Sequence, residues 1–412
     1  MKILIVHNRY RQPGGEDEVF HREGELLRST GHAVVEYVRD NHEISEQGLL
    51  NAAKLGMRTL WARESQRELR ALLRREKPDL VHFHNTFPLI SPAAYYACKD
   101  AGIPVVQSLH NARLICPAAT FYREEKVCVD CLGKSIPWPG IIHGCYHDSC
   151  AQTSVIAGMI TLHKLLRTWD QLVDAYIVPT EFYREKYVSA GFPQSKIFVK
   201  PHFLTEDPGM KRGAGGYALF LGRLAREKGV SVLLEAWRKV GHIPLFIGGQ
   251  GPLEVEVSKL KQENSNVVTA PHLAPKDCFD LMKRASFLIW PSVGYYETFG
   301  LVAIEAFACG TPVIASRSGA MRELVGDKIT GLQFEAGNPD DLAAKVQWAW
   351  NQPEEMEVMG RAARAEYESK YTAASNYEEL MRIYRAATEA KASERTSEVI
   401  NDLAASVPIT NG

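Results

Sequence analysis

Short, uninterrupted apolar runs alternate along this chain with longer stretches in which apolar residues recur every three or four positions. The runs at 2–6, 33–38, 80–83, 105–108, 175–178 and 197–199 read as buried parallel strands. The stretches near 18–29, 63–75, 92–101, 155–172 and 181–190 read as helices that cover such a sheet. The segment PHFLTEDPGMKRGAGG at 201–216, rich in Pro, Gly and charge, then reads as a linker. A second series follows, with strands at 217–221, 245–247, 267–269, 287–290 and 313–315 and helices near 230–240, 253–261, 277–284 and 301–308. Beyond 339 the pattern is helical through 341–350, 354–366 and 373–390, and the polar stretch 392–412 reads as a flexible tail. Strand–helix alternation of this kind predicts α/β units, each a doubly wound parallel sheet covered on both faces. The expected domains are 1–200 and 217–371, facing one another across a cleft, with a last helix at 372–391.

Composition narrows this picture. A chain of 412 residues, 45% hydrophobic and 24% charged, is ordinary globular material of two-domain size. The net charge of −1 argues against nucleic acid as a main partner. No apolar run has the length of a membrane span, and the opening run is too short for a signal peptide, so a cytoplasmic protein is expected.

The second series contains the stretch richest in chemistry, WPSVGYYETFGLVAIEAFACGTPVI at 290–314. It reads as strand, loop, helix and strand, with the loop at the carboxyl end of the sheet, where open α/β sheets bind ligands. Glu297 lies in the loop, and Glu305 sits within a helix of almost wholly apolar neighbours. A carboxylate withdrawn from water needs several donors. Sugar or ribose hydroxyls supply them; so does an Arg across a domain wall, with Glu297 then an ordinary surface charge. Backbone N–H groups near Phe299, Gly300 and Leu301, at the helix start, can meet phosphate oxygens.

Upstream, Phe220-Leu221-Gly222-Arg223 leads to Lys228-Gly229. Gly222 allows close backbone approach, and Arg223 and Lys228 can neutralise a departing diphosphate. A solvated basic turn has the same composition. In the first half, Gly14 and Gly15 follow the first strand, and Glu16 or Asp17 can cap the helix after them. Neither this loop nor Gly248-Gly249-Gln250-Gly251 has the Gly-x-Gly-x-x-Gly spacing, so a nicotinamide cofactor is unsupported. His84 and His110 each follow a strand, as structural or as cleft residues.

Several motifs occur in order: Gly222-Arg223-Leu224 with Lys228-Gly229, Ile247-Gly248-Gly249-Gln250-Gly251-Pro252, Pro291-Ser292, Glu297-Thr298-Phe299-Gly300-Leu301 running to Glu305, and Gly310-Thr311-Pro312-Val313-Ile314. Together they resemble the donor half of retaining nucleotide-sugar glycosyltransferases, and most closely glycosyltransferase family 4, of GT-B architecture. The resemblance implies that Arg223 and Lys228 bind the donor diphosphate and assist its departure. It implies that Glu297 contacts the transferred sugar, that Glu305 holds ribose hydroxyls, and that Thr298, Phe299, Gly300 and Leu301 hold phosphate and sugar. His272 and Leu273 fall where the family contacts the nucleobase, although many members carry a Gly-aromatic pattern there. Gly14, Gly15 and Gly222 are implied to reach the donor phosphates and His110 the transferred sugar, and the last helix to cross back onto the first domain. No catalytic metal is implied, since the leaving phosphate itself takes the acceptor proton.

Asn8-Arg9-Tyr10, Pro13-Gly14-Gly15-Glu16-Asp17 and His110-Asn111-Ala112-Arg113-Leu114-Ile115-Cys116-Pro117 resemble the bacterial subset that builds capsular, exopolysaccharide or lipopolysaccharide chains. The expected partners are a nucleotide sugar and a glycan or lipid-linked saccharide acceptor. Rival readings are a GT-B epimerase or phosphorylase and a non-catalytic sugar-nucleotide-binding partner. The presence of Arg223, Lys228, Glu297 and Glu305 together disfavours the last.

Two features lie outside these motifs. Cys116, Cys128, Cys131 and Cys145, separated by eleven, two and thirteen residues, sit in a 116–150 insertion with little periodicity. They are candidate ligands for a structural zinc; free thiols or disulfides are the alternatives. The stretch 54–77 carries eight Lys or Arg against three Glu, interleaved with aliphatic residues and Trp61. It reads either as a solvated helix face or as a surface that lies peripherally on the inner face of an anionic membrane.

Overall fold

The computed structural model describes residues 1–11, 14–44, 48–210, 213, 215–271, 273–295 and 297–406. The first half holds β1 (Lys2–Arg9), β2 (Ala33–Asp40), β3 (Leu80–Phe83), β4 (Val105–Ser108), β5 (Tyr122–Arg123), β6 (Lys126–Val127), β7 (Ala175–Val178) and β8 (Ile197–Val199). Six of these form a parallel sheet in the order β2-β1-β3-β4-β7-β8, while β5 and β6 pair as a small antiparallel hairpin. The second half holds β9 (Ala218–Leu221), β10 (Leu245–Gly248), β11 (Val267–Ala270), β12 (Phe287–Trp290), β13 (Val313–Ser316) and β14 (Gly331–Phe334), in the parallel order β11-β10-β9-β12-β13-β14. The protein therefore has two doubly wound α/β domains, the GT-B arrangement, as the alternation predicts.

In each sheet the winding reverses once, beside β1 and β3 in the first and beside β9 and β12 in the second. The loops leaving neighbouring strands there turn to opposite faces, and a crevice opens at the carboxyl edge. Both crevices open into one cleft between the halves, lined by Gly14, Glu16 and His110 on one side and Gly222, Lys228 and Glu297 on the other.

The helix Ala373–Ser406 follows Pro353–Lys370, whose Ala363 and Tyr367 belong to the second half's core, and returns to the first half. There Leu380, Ile383, Tyr384 and Ala387 pack against Ile3, Ile5, Phe20, Val106 and Ile177. The expected flexible tail from 392 is instead helical through Ser406, and 407–412 lie outside the described residues. Ala, Glu and Arg there are good helix formers, and no Gly or Pro interrupts them before Pro408, so a helix nucleated by docking propagates.

Other departures have equally local causes. β14 escapes the apolar pattern because its Gln333 is polar yet buried, its amide donating to the Val325 carbonyl at 2.6 Å and the Arg322 carbonyl at 3.1 Å. The expected helix 155–172 is Cys150–Leu165 and Thr168–Gln171, broken at Arg167 with φ of 53°. The basic stretch 54–77 is two helices, Leu49–Leu60 and Arg63–Glu76, that break around Trp61. Trp61 stacks on His163 with ring centroids 5.5 Å apart and donates to Gln66, while Arg58, Arg70 and Arg75 pair with Glu64, Asp100 and Glu76. The basic residues of this stretch are thus divided between two helices. No helix among the described residues is long and apolar enough to cross a membrane.

Candidate active site

The donor-side wall is built by two tight approaches. Gly229, with φ of 71°, lies so close to the loop after β12 that an added methyl group would sit 1.8 Å from the Pro291 carbonyl oxygen. That contact brings Lys228 beside Glu297, and Lys228 Nζ donates to Glu297 Oε1 at 2.5 Å. Ser292 Oγ donates to the same oxygen at 2.8 Å. Burial alone would raise the Glu297 carboxyl, but the Lys228 cation, with bonds from Lys228, Ser292 and Trp290, holds it below the usual carboxylate range. Glu297 is therefore an ionised, oriented acceptor rather than a surface charge.

Gly300, with φ of 123°, permits the second approach, since a methyl group there would fall 2.0 Å from a Trp290 ring carbon. The helix Leu301–Ala308 starts at this point, and its first-turn N–H groups have no carbonyl of their own helix to bond. Phe299 is buried against His202 and Tyr371, so its backbone, not its ring, serves the cleft. The Thr298 carbonyl accepts from Thr180 Oγ1 of the first half. Arg223 lines the cleft with its side chain 56% exposed, and only a loose 3.5 Å contact ties it to Glu227. It can turn toward an incoming anion at little cost.

Across the cleft, Gly15 lies opposite Leu301, with a methyl group at Gly15 reaching 3.9 Å from Leu301 Cδ1. Asp17 shapes this loop, accepting from the Gly14 N–H at 2.8 Å and bonding His7 at 2.9 Å. His110 is buried at the cleft, stacked on His84, with His84 Nδ1 3.1 Å from His110 Nε2. Burial, reinforced by neighbouring His and Lys200, keeps both imidazoles far below their ordinary pKa, so His110 meets the cleft as a neutral ring. His84 lies behind it as a structural partner.

Two of the expected site residues, Glu305 and Leu273, are not among those that line this cleft. Burial, partly offset by the charge of Arg22, raises the Glu305 carboxyl above the usual value. Leu273 packs beside Leu221 at the edge of the second sheet, where both would block a methyl group on Gly248. His272 lies outside the described residues.

The sequence reading missed Glu16 as a cleft residue. Its carboxylate accepts from Asn85 Nδ2 at 3.3 Å and Asn111 Nδ2 at 3.1 Å, beside Tyr10 and Arg113. Burial, reinforced by Asp17, pushes it up to about 7. The signal was the recurrence of Asn after strands, at Asn85 and Asn111, which only the sheet order brings to one carboxylate. The whole cleft has a volume of about 520 Å³, sufficient for a drug-sized or larger ligand.

Comparison with known proteins agrees with this architecture. The family description "Glycosyltransferase Family 4" matches residues 13–206, and "Glycosyl transferases group 1" matches 209–366. An uncharacterized glycosyltransferase of Methanocaldococcus jannaschii is 32% identical over 39% of this chain, a match that takes in 45% of that protein. The chain thus spans less than half the length of that relative. A D-inositol 3-phosphate glycosyltransferase of Nocardiopsis dassonvillei is 27% identical over 76% of this chain and 72% of its own. The O-antigen chain mannosyltransferase C of Escherichia coli is 28% identical over 42% and 48%. Among solved structures, Anabaena HepE in complex with UDP superposes with a TM-score of 0.65 at 15% identity, over 93% of this chain and 99% of that one. The two family matches run consecutively along both halves, and the chain belongs to glycosyltransferase family 4.

Proposed function

We propose that this protein transfers a hexosyl residue from a nucleotide diphosphate sugar, a UDP-sugar before a GDP-sugar, to a glycan or lipid-linked glycan acceptor, with retention of anomeric configuration. The observation that carries the reading is the Lys228–Glu297–Ser292 cluster facing the Gly14–Glu16 loop and His110 across one cleft. In this reading Arg223 and Lys228 take up the charge that develops on the departing diphosphate, assisted by the amides of Phe299, Gly300 and Leu301. Glu297, fixed and ionised, accepts hydrogen bonds from hydroxyls of the transferred sugar. Neutral His110 contributes a hydrogen bond without placing a cation beside the developing oxocarbenium. The leaving phosphate takes the acceptor proton on the same face, so no side-chain nucleophile is required. The UDP complexes of Anabaena HepE, including one with UDP-glucose, support the choice of base, and the Escherichia coli O-antigen chain relative supports a polysaccharide acceptor.

A thermal-shift panel of UDP-, GDP- and ADP-sugars tests the donor. A ligand present at about 100 times its Kd adds roughly 2.7 kcal/mol and should raise the midpoint by several degrees. UDP-sugars are expected to give the largest shift. If no nucleotide sugar moves the midpoint, the donor reading fails. Product analysis with the same panel separates transfer from epimer formation or sugar phosphate release.

Glu16 has a role on the acceptor side in this reading, its carboxylate accepting from an acceptor hydroxyl other than the reacting one and so positioning the acceptor. With a carboxyl pushed up to about 7, ionisation occurs within the working range, so kcat/KM is expected to rise with pH through about 7. Glu16→Gln should lower the rate and abolish that limb. An unchanged pH profile in the variant would remove Glu16 from this role. For stability the sign is opposite. The folded protein retains the proton between the ordinary value of 4.5 and about 7, so ionising Glu16 disfavours the fold as pH rises through that window.

A further inference from the structure

Beside the cleft stands a thiol cluster that the proposed transfer does not use. We infer that Cys116, Cys128, Cys131 and Cys145 bind one zinc ion tetrahedrally, and that this ion fixes the β5–β6 hairpin against the second half. All four side chains line one cavity of about 20 Å³, together with Arg123, Asp130 and Gly140. That is room for a single atom-sized guest. None of the chain's eight cysteines is in a disulfide.

The segment around these thiols has little else to hold it. β5 and β6 are two residues each, and the hairpin lies between the first two ligands. Ala119, Phe121, Glu124, Glu125, His147 and Asp148 all have positive φ, a conformation that persists in non-glycine residues only where the surroundings enforce it. Yet Val127, Val129, Ile136, Trp138 and Ile142 are exposed, so the segment buries little apolar surface. A metal cross-link supplies what the missing core does not. Arg123 completes the argument: it lines the same cavity as Cys128 and Cys145, and its Nη1 is buried without a hydrogen-bond partner among the described residues. Such a donor is what thiolates around a metal require in their outer shell. Cys150 is exposed, its thiol directed at the Ile142 carbonyl, and stands outside the set.

The consequence reaches the cleft. Ala118, Ala119 and Thr120, immediately after Cys116, line it. Tyr122 and Val127 flank Gly294 in the loop after β12, and Glu125 pairs with Arg226 between the halves. The zinc would hold the hairpin that joins the two lobes at the donor loop.

The test is elemental analysis of the full chain purified without chelator. About one zinc per chain is expected, falling to near zero in Cys128→Ser and Cys145→Ser and unchanged in Cys150→Ser. Cobalt-exchanged wild-type protein should show the intense near-ultraviolet thiolate-to-metal absorption of a four-sulfur site, a readout independent of whether the serine variants fold and of transferase activity. Substoichiometric zinc in the wild type would overturn the inference, as would cobalt without that absorption. Full zinc retention in Cys128→Ser would also overturn it and would direct attention to Glu23, His82 and His84, whose ligand atoms lie within 4.8 Å of one another.

Discussion

Glu297→Ala is expected to lower kcat/KM by about 10²–10³-fold while leaving far-ultraviolet circular dichroism unchanged. Two consequences combine. The oriented carboxylate that would receive sugar hydroxyls disappears, and Lys228 loses the 2.5 Å bond that orients its ammonium. Glu297→Gln should keep the shape and a weaker acceptor, so it should fall between wild type and alanine. Lys228→Ala should lose a similar factor, because it leaves the Glu297 carboxylate deprived of its cation. The double variant should then be far less than additive, since the two groups share one interaction. Activity within twofold of wild type in Glu297→Ala would remove the catalytic reading of this cleft.

The second large effect concerns stability. Lys200 is fully buried, its Nζ donating to Glu23 Oε1 at 2.6 Å and Asn376 Oδ1 at 3.2 Å. It stands just after β8, Glu23 belongs to the helix after β1, and Asn376 to the C-terminal helix. One ammonium therefore ties three elements. Lys200→Met leaves the Glu23 carboxylate buried beside His82 and His84, whose burial-lowered pKa values keep them from supplying a compensating charge. Removing one partner of a buried pair costs about 3–5 kcal/mol. A midpoint lowered by roughly 10 °C in a thermal scan is expected, with the C-terminal helix among the first segments to exchange its amides. Adding Glu23→Gln should recover much of the loss, because no uncompensated charge then remains. Wild-type stability in Lys200→Met would show that the C-terminal helix docks on its apolar face alone.

These two expectations differ in how far the chain announces them. Arg223, Lys228 and Glu297 could be named from order along the sequence, because each follows a strand end and loop chemistry is local. The pairing of Lys228 with Glu297 depends on Gly229 abutting Pro291, an approach visible only as a glycine in the sequence. Glu305 shows the reverse. Burial raises its carboxyl, as its apolar neighbours imply, but 3.6-residue periodicity fixes a face without saying what that face meets. Glu16 and Lys200 were illegible for a related reason. The Asn partners of Glu16 lie 69 and 95 residues away, and Lys200 lies 177 residues from Glu23. No local pattern encodes such separations.

The sequence by itself determined the strand–helix alternation, and with it two parallel sheets, because side-chain burial on both faces leaves a continuous apolar run wherever a strand must be. It also determined the loop chemistry at each sheet's carboxyl edge. Only the tertiary structure decided which carboxylate meets which cation, that four cysteines line one cavity, and that the last helix continues past its docking site. Those outcomes rest on strand order and interdomain approach, and distances between residues far apart in the chain are set by packing rather than by any repeat along it.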